Sequence, residues 1–436
     1  MLGPLTDTIV APITGSQEAP VAIIRASGAE SWRIARNVFG GLPENPVARH
    51  AYFGKFTSGD DGICILFAEG HSFTGEAIAE FHVHGSLASV RHTVEACLKA
   101  GGRMANAGEF SYRALMNGVI DLSQAEGIAE TITSRTERQL KHSNLMRTGA
   151  VKQHVSELSA QITRVLAHVE AAVDFSEEIG DLDKPATAAM LEPIIEHLKK
   201  RCWNSGKAQI VRTGITVAII GKPNAGKSSL LNALLQSDRA IVTDIAGTTR
   251  DTLEEWIEVE GFPVRLIDTA GIRDSDNVIE QIGIQRTRDA AASAEMVWYL
   301  VDSAAGWSDS DETESDSFDA PVVTVATKTD LATPDFEHDI AISTVTLQGL
   351  EELVATLNPL LTMATEEMIF HPRHQEHYLM ALENLASAHQ TLLSEMPFDL
   401  ASVGLRGALY ELGMITGETA SQDILERIFS AFCIGK

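Results

Sequence analysis

The sequence predicts a multidomain α/β protein, with an N-terminal α+β domain, a helical domain split in two, and a parallel α/β domain inserted between its halves. Three observations predict it. An almost continuous apolar run, Ile215–Ile220, leads straight into a glycine-rich loop and a helix, which is how a strand buried on both faces opens a doubly wound sheet. The stretches on either side of that domain read as long helices, and neither stretch covers its own apolar faces alone. At 436 residues the chain is also too long for one ordinary core.

Residues 1–118 mix apolar runs (Val21–Ile24, Ile63–Phe67) with glycine-rich turns and some helical pattern. From Asp121 to about Lys207 the spacing becomes helical, with no proline in "LSQAEGIAETITSRTERQLKHSNLMRTGAVKQHVSELSAQITRVLAHVEAAVDF". Strand-like runs then recur at 264–267, 296–301 and 322–326, with helical segments between them. Helices resume from Arg373. The boundaries expected are 1–118, 119–212, 213–363 and 364–436.

Composition narrows the function classes. With 44% hydrophobic and 22% charged residues the chain is globular. Its net charge of −26 excludes nucleic-acid binding by a general field, because that binding needs Lys and Arg to displace counterions. RNA would need a local patch or a basic partner. The acidic run "SDSDETESDSFD", Ser308 to Asp319, reads as a solvated surface loop. No apolar stretch matches a membrane span and no leader is evident, so the expected compartment is the cytosol. Four cysteines without CxxC spacing (Cys64, Cys97, Cys202, Cys433) suggest neither disulfides nor zinc.

Gly221-Lys222-Pro223-Asn224-Ala225-Gly226-Lys227-Ser228 fits GxxxxGK[ST], after a strand and opening a helix at Ser229. Its glycines let backbone N–H groups approach phosphate oxygens, aided by the helix N-terminus. Lys227 is expected at the β- and γ-phosphates and Ser228 on Mg²⁺. Asp268-Thr269-Ala270-Gly271 follows another strand, placing a carboxylate toward the metal and an N–H toward the γ-phosphate. Thr248 and Thr249 lie between these elements, in a loop that brings a hydroxyl to the metal. Thr327-Lys328-Thr329-Asp330 follows the 322–326 strand, and its Asp can accept two hydrogen bonds that guanine offers and adenine does not. Ser343 is placed to close over the base. In order and context these elements predict a GTPase. Thr327 stands where GTPases usually carry Asn, so weaker nucleotide affinity is expected. Ile272 leaves no Gln after the Asp-Thr-Ala-Gly run. Asn224, through a monovalent cation, and Glu280, through water, are the candidates to assist hydrolysis; taken by themselves both read as ordinary surface residues.

The block "GKPNAGKSSLLNALLQSDRAIVTDIAGTTRD", the segment "DTAGIRDSDNVIEQIGI", the N-terminal "VAIIRASG" and "SFTGEAIAEFHVHGS", and the terminal "FCIGK" together resemble the tRNA-modification GTPases called MnmE or TrmE. The likeness runs over nearly the whole chain. It implies an N-terminal folate-binding and dimerisation domain, a discontinuous helical domain and an inserted P-loop G domain. It also implies a homodimer that joins an FAD-containing MnmG-like protein in a heterotetramer. Together they would modify C5 of the wobble uridine of tRNA, with one carbon from a 5,10-methylene- or 5-formyl-tetrahydrofolate derivative.

The resemblance further implies that K⁺ stimulates GTP hydrolysis by pairing G domains, with Asn224, Thr243, Ile245 and Thr248 around the ion. Ser228 and Thr249 would hold Mg²⁺, and Glu280 would orient water. Arg25, Glu80 and Lys436 fall on its folate positions, a carboxylate suiting the pterin edge and a cation the glutamate tail. Val119 stands where that family has Lys, which lowers the affinity expected for the acidic tail. Cys433, fourth from the end, is expected near the folate site, either as a thiol nucleophile or as part of an apolar anchor with Phe432 and Ile434. A purely regulatory GTPase bound to ribosome or RNA is the competing class; it leaves the N-terminal domain and the terminal cysteine without a role.

Overall fold

A computed structural model describes residues 5–15, 18–174, 182–203, 210–236, 254–268, 292–361, 371–432 and 435, with backbone only at 201–203, 254 and 268. These fall into two compact units. One comprises Met1–Ile132, Ser143–Leu198 and Glu376–Lys436; the other comprises Thr133–His142 and Lys199–Gln375.

The first unit contains a six-stranded sheet in the order β3-β4-β5-β2-β1-β6. Its strands are β1 (Ile9–Pro12), β2 (Ala19–Ser27), β3 (Ala51–Lys55), β4 (Asp61–Phe67), β5 (Ile78–Gly85) and β6 (Arg103–Met104). All neighbours are antiparallel except β1 and β6. Helices Ser31–Val38 and Leu87–Lys99 cover one face, where Ile34, Val38, Val94 and Cys97 pack on Ile24, Leu66 and Phe81. Ser86 starts the second of these helices by accepting a hydrogen bond from the Ser89 N–H.

The helical part of this unit follows the spacing read from the sequence. Helix Ala150–Asp174 buries Val151, Val155, Leu158, Ile162, Val165 and Val169, an i, i+3, i+4 stripe. Helices Lys184–Trp203, Pro372–Leu393 and Leu400–Thr416 lie on both sides of the inserted segment in sequence. The last helix, Gln422–Ser430, packs on helix Glu109–Met116 through an edge-on Tyr112–Phe429 contact at 5.6 Å. The Phe432 ring lies tilted against that of Phe429, centroids 5.1 Å apart. Gly435 then runs so close to β1 that a Cβ there would lie 2.4 Å from the Pro12 carbonyl oxygen. Gly435 thus lies against the first strand.

The second unit holds the other six-stranded sheet, in the order β12-β11-β10-β7-β9-β8. Its strands are β7 (Ile215–Gly221), β8 (Glu254–Val259), β9 (Phe262–Asp268), β10 (Met296–Asp302), β11 (Val322–Thr327) and β12 (Ile340–Ala341). Five strands are parallel, as the apolar runs predict, and β8 adds an antiparallel edge through a tight hairpin to β9. Alternate residues of β7 supply two cores: Val217 and Ile219 on one face, Ala218 and Ile220 on the other. The order reverses at β7, whose next strands in sequence lie on one side and β10 on the other. Ligands of open α/β sheets bind at the strand C-termini beside such a switch point.

Two features depart from the sequence reading. The acidic run is not a loop: Asp309–Ser315 is a helix with a capping box between Ser308 and Asp311. Residues 133–142, which read as part of the helical domain, cluster instead with the second unit. There the Arg135 and Arg138 guanidinium groups lie 4.4 and 4.2 Å over the rings of Trp256 and Phe262 on the β8–β9 hairpin.

Candidate functional site

The loop after β7 has the backbone that its glycines allow. Gly221 adopts φ +148°, and a Cβ there would sit 2.3 Å from the Leu300 carbonyl oxygen, so only glycine fits. Asn224 is left-handed at φ +65°, and Gly226, at φ +97°, precedes helix Lys227–Leu235. Ala225 is buried, and its N–H donates to the Lys222 carbonyl at 3.1 Å. The Lys227 ammonium donates to the carbonyl oxygens of Gly221 and, at 2.9 Å, of Lys222. A cation folded over a ring of backbone amides at a helix N-terminus is chemistry suited to a polyphosphate.

The loop after β11 closes on the first. Thr327 is 2% exposed, and its hydroxyl lies 2.7 Å from the Ala225 carbonyl oxygen and 3.2 Å from that of Val301. The shorter side chain therefore still ties the two loops, which is the tethering expected of the usual Asn. Lys328 is left-handed at φ +57°, and its ammonium pairs with Asp302 at 2.7 Å, holding that carboxyl below its ordinary 3.8. Ser343 is buried and donates to Asp330 Oδ1 at 2.7 Å, a contact the sequence reading did not foresee. Ser229 lies in the first turn of helix Lys227–Leu235, beside Ser228.

Asp268 ends β9 beside Ile219 of β7, which brings its backbone to the same edge of the sheet. Thr243, Ile245, Thr248, Thr249, Thr269, Ala270, Gly271, Glu280, Cys433 and Lys436 lie outside the described residues.

A cluster that the sequence reading missed adjoins the phosphate-type loop. The Lys222 ammonium donates to Asp311 Oδ2 and Ser308 Oγ, both at 2.6 Å. Asp311, 1% exposed, also accepts from the Ser308 N–H at 3.0 Å and the Tyr299 hydroxyl at 3.0 Å. Burial alone would raise the Asp311 carboxyl; the hydrogen bonds from Lys222, Ser308 and Tyr299 outweigh it and hold it below 3.8. The available signal was Ser308-x-x-Asp311, a helix-start pattern hidden in an acidic composition.

In the first unit, Arg25 and Glu80 are cross-strand partners on β2 and β5. Their side chains meet, with Arg25 Nη2 2.8 Å from Glu80 Oε1 and Nε donating to it at 2.9 Å. The Arg25 guanidinium lies 5.1 Å from the Phe73 ring centroid and 5.6 Å from that of Phe110. Burial would raise the Glu80 carboxyl, but His82 and Arg25 together lower it below its ordinary 4.5. A paired cation and carboxylate flanked by two aromatic rings fit a flat heterocycle with an acidic tail. This face also carries Ala11 and Ile13, next to the Pro12 carbonyl that Gly435 approaches. Val119 is exposed, its side chain beside the backbone of Gly75.

The family described as "GTP-binding protein TrmE N-terminus" matches residues 8–119, and the "MnmE helical domain" matches residues 122–433. The chain is 36% identical to the tRNA modification GTPase MnmE of Synechococcus sp. (strain JA-3-3Ab), over 100% of both chains. It is equally identical, over the same full coverage, to the protein of that name from Synechococcus elongatus. Among solved structures, Aquifex aeolicus Era is 25% identical over 39% of this chain and 66% of its own, but its TM-score of 0.28 lets that likeness carry no argument.

Proposed function

The chain belongs to the MnmE family of tRNA modification GTPases, and from that premise we propose a specific division of labour among its residues. It is a GTP-hydrolysing enzyme of tRNA modification. The observation that carries the site reading is the 2.7 Å tie between Thr327 and Ala225. It ties the loop suited to phosphates to the loop suited to the base.

In this reading the amides of residues 224–228 and the Lys227 ammonium bind the phosphates. Asp330, held by Ser343, accepts from the guanine edge, and Lys328 flanks the base. Ser228 and Thr249 would hold Mg²⁺, with Asp268 reaching it through water, and the ion would neutralise charge on the phosphates. Asn224, Thr243, Ile245 and Thr248 surround K⁺ when G domains pair, and Glu280 orients the attacking water. Thr269, Ala270 and Gly271 follow the γ-phosphate. The divisions 1–118, 119–212, 213–363 and 364–436 carry folate binding, support, GTP turnover and the terminal segment in turn.

The Arg25–Glu80 face is the proposed site of the tetrahydrofolate donor, and Cys433 and Lys436 are its proposed C-terminal contributors. Glu80 pairs with the pterin edge and Arg25 with a carboxylate. The working assembly is a cytoplasmic homodimer with an FAD-containing partner that supplies redox chemistry on the wobble uridine of tRNA. The partner, or a local patch on this chain, supplies the basic surface that tRNA binding needs. Among the described residues no helix is long and apolar enough to cross a membrane.

Titration of the full chain with 5-formyltetrahydrofolate tests this reading. The wild type is expected to bind saturably, and Glu80→Gln to bind at least about tenfold more weakly, because a charged hydrogen-bond acceptor is lost. A wild type that hydrolyses GTP but shows no folate binding would leave a regulatory GTPase.

A further inference from the structure

We propose that Lys222 is a positioning residue for nucleotide binding, clamped by Asp311 and Ser308 of the acidic helix so that the first turn of the phosphate-binding loop is preorganised. The inference rests on the reading that this loop holds GTP and deepens it. Lys222 faces two ways. Its carbonyl oxygen accepts from Lys227 Nζ at 2.9 Å and from the Ala225 N–H at 3.1 Å, so the orientation of this peptide bears directly on the residues around the phosphates. Its side chain, 47% exposed, is drawn the other way into two 2.6 Å hydrogen bonds.

The receiving end is built rather than incidental. Asp311 is the buried residue of helix Asp309–Ser315, fixed by the capping box with Ser308 and by the Tyr299 hydroxyl. That hydroxyl, on buried β10, also lies 2.9 Å from Glu314 Oε2, so its one proton is shared between the two carboxylates. The anchor therefore reaches the sheet core one strand from β7, whereas an exposed Lys–carboxylate pair is held by nothing and contributes little. A loop fixed before the ligand arrives loses less conformational freedom on binding, and affinity rises by that amount. The acidic run thus gains a role in the pocket, through one carboxylate, while Asp309 and Glu312 remain on its exposed side.

The test is the affinity of the full-length protein for a fluorescent GDP analogue, measured with steady-state GTP hydrolysis. Lys222→Ala and Asp311→Asn are each expected to weaken binding about tenfold, with KM rising far more than kcat falls. The double variant is expected to be no worse than either single, since both remove one contact. Lys222→Arg should keep affinity within about threefold, and Asp309→Asn should not change it. Lys222 is exposed on a loop, so its alanine variant folds even if Asp311→Asn does not, and it alone then decides. Binding by Lys222→Ala within about twofold of wild type overturns the inference, as does a double variant whose losses add. A wild type that fails to bind the analogue overturns the GTP reading itself, which is a separate result.

Discussion

Asp330→Asn is expected to reduce GTP hydrolysis at subsaturating substrate by at least about 100-fold and to make xanthosine triphosphate the better substrate. The physical reason is a reversal of hydrogen-bond polarity. A carboxylate only accepts, which matches the N1–H and N2–H₂ donors of guanine; the amide of Asn presents donors that match a carbonyl at the xanthine C2 position. The structure supports a large effect because Ser343 fixes one Asp330 oxygen at 2.7 Å, so the side chain is already aimed. A site built to pair with a polar edge rejects the wrong edge strongly, since its own groups are left unmatched. Steady-state kinetics with both nucleotides measures it. Unchanged GTP use would remove Asp330 from the base-reading role.

Arg113→Met is expected to destabilise the N-terminal sheet by about 3–5 kcal/mol. Arg113 is 0% exposed. Its guanidinium donates to Asp7 Oδ1 and the Asp7 carbonyl, to Glu76 at 3.1 Å and to Glu109 at 3.2 Å. Arg103 completes the network through a two-point contact with Asp7 and another with Glu109. Removing the buried cation leaves several carboxylates crowded with one. Hydrogen exchange of β1 and β2 amides in the full chain reads the effect locally, as acceleration of about 100-fold or more. Acceleration below about fivefold would mean that Arg103 alone satisfies the cluster.

The same network fixes a pH dependence. A hydrogen bond from Arg103 leads the causes that lower the Asp7 carboxyl below its ordinary 3.8. Burial would raise Glu109, but hydrogen bonds from Arg103 and the Asn106 N–H and the charges of both arginines hold it below 4.5. Both folded values are depressed. Their stabilisation is complete above the ordinary values and disappears as pH falls through the lowered ones. Protection of β1 and β2 in the wild type should therefore decline with acidification below about pH 4.5, and Arg113→Met should show a shallower decline.

What the sequence revealed follows from how locally each feature is encoded. The phosphate-type loop was legible because Gly221, Gly226 and Lys227 act within eight consecutive residues, next to an apolar strand. The helical stripes of 150–174 were legible for the same reason. The pairing of Arg25 with Glu80 joins two strands 55 positions apart, and the Thr327–Ala225 tie spans 102. Neither leaves a trace in local spacing; family likeness supplied the first pair's importance, and the second was read only as a departure from Asn. Arg113 and its carboxylates were missed because a buried ion cluster built from positions 7, 76, 103, 109 and 113 has no periodicity. The acidic helix was misread for another reason: composition argued for a solvated loop, while a single Ser-to-Asp spacing argued for a helix start. The antiparallel β8 escaped notice because an edge strand alternates and lacks the continuous apolar run of β7 or β10.

The central claim is that GTP turnover in the inserted domain serves carbon chemistry on a tRNA base. Wobble-uridine nucleoside analysis, in cells lacking this gene and complemented with the wild type or Lys227→Ala, tests it most directly. The account predicts that the C5 modification is lost on deletion, returns with the wild type and stays absent with Lys227→Ala. Full modification in the deleted cells, or its full return with Lys227→Ala, would contradict it.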